Sequence, residues 1–339
     1  MKYKIGLVGF GTVGQGFVEI LAEKGAEFKE KYGMEVEVVA ISDPIKGSVY
    51  AEEGLNLNKV LELKGDLSAY PNCVKGWDSI KTITATNADV IVEVTPTNIK
   101  TGEPGLTHIR AALNNNKHTI TTNKGPVALA YSELAALSLA KGVNFRFEGT
   151  VMAGTPSLNV GLEALAGIGI KEIRGILNGT TNYILTNMEQ GTPYSDALSE
   201  AQKLGYAEAK PDADVEGWDA LAKVVILGNV VMGGNLKVED IERQGITGLT
   251  VQDIETAKSE GKCYKLIGKV WREGNQVKGS VEPQKLNKSD LLAQVGGVRN
   301  AITFVTDELN EVTITGPGAG RRETGFAIIS DLINLHRKQ

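Results

Sequence analysis

Cysteine and histidine are scarce in this sequence, and their scarcity limits its chemistry. The 339 residues contain two cysteines and three histidines. Cys73 and Cys263 are too few for a disulfide framework, and neither lies in a CxxC motif, so we expect two ordinary thiols. His108, His118 and His336 are not surrounded by other residues at metal-ligand spacing. We therefore expect neither a catalytic histidine nor a transition metal.

Long hydrophobic runs and basic clusters are also missing. No apolar stretch approaches the roughly 18 residues that span a bilayer, and "MKYKIGLVGFG" at the N-terminus lacks the apolar core of a signal peptide. The net charge is −5, and no run of basic residues occurs. These features predict a cytoplasmic protein with no membrane or nucleic-acid partner, and they favour a small-molecule substrate.

The length and the pattern of apolar residues predict two α/β domains. A chain of 339 residues with 42% hydrophobic residues exceeds what one core usually organises. In the first 150 residues, short apolar strands alternate with amphipathic helices, which is typical of a Rossmann-type parallel sheet. The predicted strands are 4–8, 36–41, 89–94, 118–121 and 143–147. One predicted helix begins near Thr12. Two others cover 107–116 and 131–141.

The composition changes near Gly149, where Gly-rich and small-residue segments precede longer helices predicted at 194–204 and 216–232. We interpret residues 148–314 as a second, α+β domain for substrate binding and dimerisation. The first domain would cover 1–147. The tail, 315–339, reads as the end of a strand, a Gly-rich turn and a closing helix, and we expect it to return to the first domain.

The stretch "GFGTVG" predicts a dinucleotide-binding loop, because it follows a strand and opens a helix. Gly9 would permit the tight turn, Gly11 would let the backbone approach a pyrophosphate, and Gly14 would allow close packing of helix on strand. The N–H groups at the start of the helix would receive the negative charge. A Gly-rich turn without a ligand is the alternative.

Asp43 ends the second predicted strand, where an acidic side chain can accept hydrogen bonds from the adenosine ribose. An Asx turn before Pro44 is the alternative role for this residue. Lys46 and Lys59 could pair with a 2′-phosphate, so the sequence leaves NAD and NADP both open.

Two lysines occupy positions that indicate function. Lys124, in "TITTNKGPVA", follows a strand at the carboxyl edge of the sheet, where open parallel sheets bind ligands, although a solvated loop lysine is the alternative. Lys223 interrupts the apolar pattern of "WDALAKVVIL" with Asp219 four residues before it. Burial would favour its neutral amine, whereas Asp219 would favour the ammonium ion, which suits an acid/base group. An exposed helix-surface ion pair is the alternative.

An acidic segment precedes Lys223 in the sequence. "YAEAKPDADVEGWD" places five carboxylates within twelve residues, and Glu208 and Asp214 among them could bind the ammonium group of an amino-acid substrate. The loop "EVTPTNIKTGEP", which contains Thr95 and Pro96, ends another strand and is a candidate cofactor contact.

Together, six segments resemble homoserine dehydrogenase over nearly the whole chain. They are "GFGTVG", "TTNKGPVALA", "FEGTVMAGTPSLN", "GILNGTTNYILTNM", "LGYAE" with "DVEGWDALAK", and "ITGPGAG". The resemblance implies reversible reduction of aspartate 4-semialdehyde to homoserine, in the pathway to threonine and methionine, with NAD or NADP. The chain resembles the short form of the family, so we do not expect the regulatory domain of longer relatives. It also favours a homodimer.

The resemblance implies a role for each candidate residue. Lys223 and Lys124 would be the catalytic pair, and Asp219 would orient the lysine or a water. The implied substrate-binding residues are Glu208, Asp214, Asp219, Asn178, Gly179 and Thr180. The implied cofactor-binding residues are Gly9, Phe10, Gly11, Thr12, Val13, Gly14, Asp43, Thr95, Pro96, Lys124 and Gly318. A monovalent cation such as sodium would be bound by Glu148 and by the carbonyls of Val151, Ala153 and Thr155, since hard ions prefer oxygen ligands.

The sequence also departs from the family pattern. Many members have Asp before the proline of the acidic segment, whereas this chain has Lys210 before Pro211. Arg321 and Arg322 after "GPGAG" are also unusual, and they could contact a phosphate. Two other functions are compatible with the same fold, namely a dehydrogenase of another small amino or hydroxy acid and a nicotinamide-binding sensor without turnover.

Overall fold

A computed structural model of the chain describes residues 1–337 and divides it into two compact units. The first consists of residues 1–154 together with the chain from 319 onward, and the second of residues 155–318. These boundaries lie slightly later than those expected at 147 and 314. In the structure the C-terminal helix is part of the first unit.

The first unit contains a seven-stranded sheet in the order β4-β3-β2-β1-β5-β6-β7. Strands β1, β2, β5, β6 and β7 are parallel, as the alternating pattern predicts. The antiparallel strands β3 and β4 were not predicted, because both are short. The strands are β1 Lys2–Val8, β2 Glu35–Asp43, β3 Gly47–Tyr50, β4 Val74–Lys75, β5 Val90–Glu93, β6 His118–Thr121 and β7 Phe145–Arg146.

The helices of the first unit connect these strands and end with the C-terminal helix. They are α1 Thr12–Tyr32, α2 Leu57–Glu62, α3 Ser79–Ala85, α4 Gly105–Asn114, α5 Lys124–Lys141, α6 Gly149–Met152 and α12 Arg321–Arg337. Helix α5 begins seven residues before the predicted start at 131, so Lys124 lies in its first turn and not in a loop. A non-helical residue, Ala130, bends this helix at the predicted start. Asn123 caps the earlier turn, which also accommodates Pro126.

The C-terminal helix packs directly on α1. The two helices approach at glycines, since a Cβ on Gly325 would lie 2.6 Å from the Phe17 nitrogen, and one on Gly16 would collide with the Arg321 carbonyl. Buried side chains of α12, including Ile328 and Leu332, join the core formed by β1 and α1. This packing explains why the tail belongs to the first unit.

The second unit is built on a six-stranded sheet in the order β13-β12-β8-β10-β11-β9. Its strands are β8 Ile170–Ile176, β9 Glu242–Arg243, β10 Lys262–Glu273, β11 Gln276–Asn287, β12 Arg299–Thr306 and β13 Glu311–Pro317. Its helices are α7 Gly179–Glu189, α8 Tyr194–Lys203, α9 Asp212–Val215, α10 Trp218–Val230 and α11 Val251–Ser259. Helix α10 packs against β10 and β11, and every residue from Ala220 to Val230 is buried.

Within residues 1–337, no helix combines the length and the apolar composition needed to cross a bilayer.

Candidate active site

The glycine turn after β1 has the geometry of a dinucleotide loop. Gly9 has φ +96°, a conformation that L side chains rarely adopt, and its N–H donates to the Ser42 carbonyl at 2.8 Å. A Cβ on Gly9 would lie 2.7 Å from the Val94 carbonyl oxygen, and one on Gly14 would lie 2.6 Å from the Gly9 carbonyl oxygen. The turn therefore packs tightly against the backbone that follows β5 and against the start of α1.

Gly11 faces open space at the start of α1. It is the N-cap of the helix, it is exposed, and a Cβ built on it would meet no atom within 4 Å. Thr12 is also exposed, and Val13 is half-buried. The first N–H groups of a helix have no partner within the helix, so this end can accept a phosphate.

Asp43 forms an Asx turn and also holds the glycine loop. Its carboxylate accepts hydrogen bonds from the N–H groups of Ile45 and Lys46, both at 2.9 Å, and from that of Phe10 at 2.8 Å. Partial burial opposes ionisation, but these N–H groups and the charge of Lys46 outweigh it and lower the pKa of the Asp43 carboxyl. The alternative Asx-turn role is thus present in the structure, and the side chain still lies at the end of β2.

Phe10 and Lys46 are engaged with each other. The Phe10 side chain is buried, and its backbone N–H is the one that Asp43 accepts. The Lys46 ammonium donates to the Phe10 carbonyl at 2.6 Å and lies 5.5 Å from the centre of its ring. Lys59 is exposed on α2.

The carboxyl ends of β5 and β6 carry Thr95, Pro96 and Lys124. Thr95 and Lys124 are half-buried and Pro96 is exposed. Between the two strand ends lies Glu93, which is fully buried and accepts hydrogen bonds from Thr95 and Thr121. Glu93 begins the candidate loop "EVTPTNIKTGEP", but nothing in the sequence marks it individually, because a carboxylate at the end of an apolar strand gives no signal of its hydrogen-bond partners.

Lys223 is buried in the middle of α10, with 5% of its surface exposed. Its ammonium forms an ion pair with Asp219 at 2.8 Å and donates to the Leu177 carbonyl at 2.5 Å. The exposed helix-surface pair that was the alternative is thus wrong, since Asp219 is also largely buried. The carbonyl comes from the end of β8, so the lysine links α10 to the sheet.

Asn178 extends this group of polar side chains. Its side-chain NH2 group donates to Asp214 at 2.7 Å and to Asp219 at 3.1 Å. Its side-chain oxygen caps the start of α7 by accepting the Thr181 N–H. Lys223, Asp219, Asn178 and Asp214 therefore form one connected cluster, which we call the lysine cluster.

The remaining predicted substrate residues lie around the start of α7 and before α9. The Thr180 hydroxyl donates to the Tyr206 carbonyl at 2.5 Å, and a Cβ on Gly179 would lie 2.5 Å from the Val298 carbonyl oxygen. Glu208 is exposed in the loop before α9. Its carboxylate is not among the hydrogen-bonded groups of the lysine cluster.

A second residue that sequence analysis missed is Asn300 on β12. It is fully buried, and neither the oxygen nor the nitrogen of its amide has a hydrogen-bond partner. A Cβ on Gly318 would collide with this amide, so the glycine at position 318 allows the turn after β13 to pack on Asn300.

The predicted cation ligands fall in the short segment from α6 to the start of the second unit. Glu148 is buried, and its N–H donates to Asp331 at 2.9 Å. Val151 lies in α6, and Ala153 has φ +49°, which turns the backbone directly after the helix. The Thr155 hydroxyl donates to the Pro317 carbonyl at 2.9 Å. One carboxylate and several carbonyls are an oxygen donor set suited to a hard monovalent ion.

The cysteines have the environment of ordinary thiols. Burial raises the pKa of the Cys263 thiol to about 11 and also raises the pKa of the Cys73 thiol. The two cysteines are not joined in a disulfide. Among residues 1–337, no group of three or more His, Cys, Asp or Glu side chains could hold a metal ion.

The arginines after the "GPGAG" turn are engaged by carboxylates. Arg321 pairs with Glu19, and Arg322 pairs with Glu23 at 2.5 Å. Both carboxylates lie on α1, so these arginines join α12 to α1. The lower pKa of Glu23, caused first by its hydrogen bond to Arg322, agrees with this pairing.

Comparison with known proteins identifies the family. The homoserine dehydrogenase family model matches residues 156–333, and the model of its NAD-binding domain matches residues 9–148. A protein of Pseudomonas canavaninivorans named NAD(+)-dependent homoserine dehydrogenase is 42% identical, over 99% of this chain and 97% of its own. The homoserine dehydrogenase of Methanocaldococcus jannaschii is 44% identical, over 97% of each chain.

A solved structure agrees with these sequence matches. A hyperthermophilic archaeal homoserine dehydrogenase in complex with NADPH has a TM-score of 0.85 and 32% identity, covering 100% of this chain and 99% of its own. The dinucleotide loop of the first unit and the lysine cluster of the second lie within the matched regions. The chain therefore belongs to the homoserine dehydrogenase family, whose members are NAD(P)-dependent oxidoreductases acting on a CH–OH group.

Proposed function

We propose that this chain interconverts homoserine and aspartate 4-semialdehyde with Lys223 as the acid/base group. The observation that carries the proposal is the buried ammonium of Lys223, paired with Asp219 and the Leu177 carbonyl. Oxidation of homoserine removes a hydride from the hydroxyl-bearing carbon and a proton from the hydroxyl. Lys223 in its amine form takes the proton, and the nicotinamide cofactor, when bound, would supply the hydride acceptor.

The surroundings of Lys223 suit this task. The two acceptors fix the position of its nitrogen, so the substrate oxygen meets an oriented donor, and orientation is a large part of catalytic efficiency. A group that must both accept and return a proton works best when its proton affinity suits the working pH. Lys124 is the other member of the proposed catalytic lysine pair.

The other residues of the second unit bind the amino-acid part of the substrate. Asp214, which Asn178 orients through a 2.7 Å hydrogen bond, supplies negative charge for the substrate ammonium, and the exposed carboxylate of Glu208 adds to it. Gly179 and Thr180 form the first turn of α7, where the positive end of the helix favours the substrate carboxylate.

Asp43 favours NAD over NADP. Its carboxylate lies at the end of β2, next to the glycine loop, and its lowered pKa means that it carries a negative charge at neutral pH. That charge suits the ribose hydroxyls of NAD but opposes a 2′-phosphate. The nearby ammonium of Lys46 is directed at the Phe10 carbonyl.

A monovalent cation would be held by Glu148 and by the carbonyls of Val151, Ala153 and Thr155. The donor set fits such an ion, because all its ligands are oxygens and only one is charged. When bound, the ion would supply positive charge beside a buried carboxylate and would stiffen the turn after α6. No proton or hydride passes through it.

The direct test is oxidation of homoserine with NAD and with NADP in parallel, followed by absorbance of the reduced nicotinamide. We expect turnover with both and a higher kcat/KM with NAD. Repeating the assay in sodium and tetramethylammonium salts at equal ionic strength tests the cation, which should raise activity. Turnover of other amino or hydroxy acids but not homoserine would overturn the substrate assignment. Cofactor binding without any turnover would indicate a sensor.

We also propose that the chain forms a homodimer. Strand β13 is an edge of the second sheet and carries the half-exposed residues Val312, Thr313 and Ile314, a pattern that can pair with another copy. Sedimentation equilibrium is expected to give twice 36.2 kDa. Ile314→Lys should shift the protein toward the monomer, and a wild-type monomer at micromolar concentration would contradict the proposal.

A further inference from the structure

We propose that Glu93 is a positioning residue that fixes the nicotinamide half of the bound cofactor, acting through Thr95 and the start of α5. Glu93 is the last residue of β5 and is fully buried. Burying a carboxyl group is costly unless hydrogen bonds compensate it. The buried Glu93 side chain at the end of an apolar strand therefore indicates that its hydrogen bonds have a role.

The carboxylate of Glu93 is surrounded by donors. One oxygen accepts from both the N–H and the hydroxyl of Thr95, with the N–H at 3.0 Å. The other oxygen accepts from the Thr121 hydroxyl at 2.9 Å. Three donors, two from Thr95 and one from Thr121, surround this carboxyl group and hold the ends of β5 and β6 in one geometry.

The same network reaches the helix that begins with Lys124. The Thr121 hydroxyl, which donates to Glu93, accepts the N–H of Asn123 at 3.0 Å. The Asn123 amide donates to the Thr95 carbonyl at 3.3 Å, and its oxygen caps α5 by accepting the Gly125 N–H at 3.2 Å. The position of the Lys124 backbone therefore depends on the same carboxylate that holds Thr95.

The network is closed on its far side by α4. His108 of this helix is buried, and its Nδ1 lies 3.7 Å from the Glu93 oxygen that Thr95 uses, beyond hydrogen-bond distance. A Cβ on Gly105 would lie 2.6 Å from the Asn123 amide nitrogen and 3.1 Å from the second Glu93 oxygen. Helix α4 thus leaves the network little room to rearrange.

The location of the network indicates which part of the cofactor it serves. The strand order reverses at β1, which has β2 on one side and β5 on the other, and dinucleotides bind across such a point. With the adenosine ribose at the end of β2, the nicotinamide half lies at the ends of β5 and β6. The Gly9 turn supports this direction, because a Cβ on Gly9 would lie 3.0 Å from the Thr95 nitrogen.

Glu93→Gln tests the inference with little change in volume. The substitution replaces one acceptor oxygen with a donating NH2 group, which faces the donors of Thr95 or Thr121 and loosens the β5 loop. We expect the Kd for NADH to rise about tenfold, which is the scale of one lost hydrogen bond. The Kd for ADP-ribose, which lacks the nicotinamide, should stay within about twofold. The fluorescence blue shift of bound NADH should decrease.

Glu133→Gln is the matched control. Glu133 forms a two-pronged ion pair with Arg110 and joins α5 to α4 in the same unit, but it is exposed on the surface. We expect this variant to bind NADH and ADP-ribose like wild type. If Glu93→Gln weakens both ligands equally, or neither, Glu93 has no selective role at the nicotinamide and the inference is wrong.

Thr121 provides a second test if Glu93→Gln fails to fold. Thr121→Val removes the hydroxyl that donates to Glu93 and should weaken NADH binding selectively, whereas Thr121→Ser retains the hydroxyl and should restore it. Equal behaviour of the two variants would contradict the inference.

This inference rests on the proposed site at the ends of β5 and β6, and Lys124→Ala separates the two. If Lys124→Ala loses homoserine oxidation while Glu93→Gln leaves the ratio of NADH to ADP-ribose affinity unchanged, only the role of Glu93 is wrong. If Lys124→Ala retains full activity, the proposed site itself is wrong.

Discussion

Lys223→Met is expected to oxidise homoserine about a hundredfold to ten-thousandfold more slowly than wild type, because that is the usual contribution of a positioned acid/base group. Methionine retains most of the lysine volume and apolar character but lacks the ionisable nitrogen. Since Lys223 belongs to the second unit and the glycine loop to the first, the Kd for NADH should change little. The measurements are kcat for homoserine oxidation and NADH affinity by fluorescence titration.

The loss of activity must be distinguished from a loss of stability. Lys223 compensates the charge of Asp219, and breaking a buried ion pair commonly costs about 3 to 5 kcal/mol. Asp219 still accepts from the Asn178 amide in the variant, which reduces that cost. Activity should therefore be measured well below the unfolding temperature, which a thermal melt of the variant defines.

Lys265→Met is the matched control for Lys223→Met. Lys265 is also buried in the second unit, with 1% of its surface exposed, and its nearest carboxylate is Glu189 at 3.6 Å. The control removes a buried ammonium outside the lysine cluster, so we expect lower stability but nearly normal kcat. Comparable activity of the two variants would show that Lys223 is a structural ion pair and not the acid/base group.

The sequence predicts most of the fold for identifiable reasons. Alternating strands and helices give the parallel strands of the first sheet, and the glycine spacing gives the turn at Gly9. The short strands β3 and β4 escape prediction, because two to four residues leave no periodicity to detect. The start of α5 at Lys124 is hidden by Gly125 and Pro126, which are poor helix formers but are tolerated in a first turn that Asn123 caps.

The residues of the candidate site likewise fall into those that the sequence reveals and those that it does not. Lys223 stands out in the sequence, because a charge in an apolar helix is unusual, and its partner Asp219 lies one turn away. Glu93 and Asn300 do not stand out, since their importance depends on contacts with distant segments: Thr121 lies 28 residues from Glu93. Local patterns reveal residues whose partners are close in sequence. They do not reveal a buried network assembled from several strand ends.

Gly11→Val is expected to abolish measurable binding of NAD and NADP while leaving the protein folded. A Cβ at position 11 meets no atom of the protein within 4 Å, and the extended backbone there has a negative φ of −75°, so a side chain needs no left-handed conformation. The new side chain therefore projects into the space that the pyrophosphate occupies and blocks the close approach of the backbone. Titration with NADH should show no saturation up to about a hundred times the wild-type Kd, a loss of roughly 2.7 kcal/mol or more.

The other glycines of the loop do not permit so clean a test, whereas a distant one provides its control. A Cβ on Gly14 would lie 2.6 Å from the Gly9 carbonyl oxygen, so Gly14→Val should lower the unfolding temperature as well as binding. Gly25, on the same helix as Gly14, also has no atom within 4 Å of its Cβ position, and Gly25→Val should bind cofactor normally. If Gly11→Val bound NADH as tightly as Gly25→Val does, the pyrophosphate could not lie at the start of α1, and the direction assigned to the cofactor along the sheet would be wrong as well.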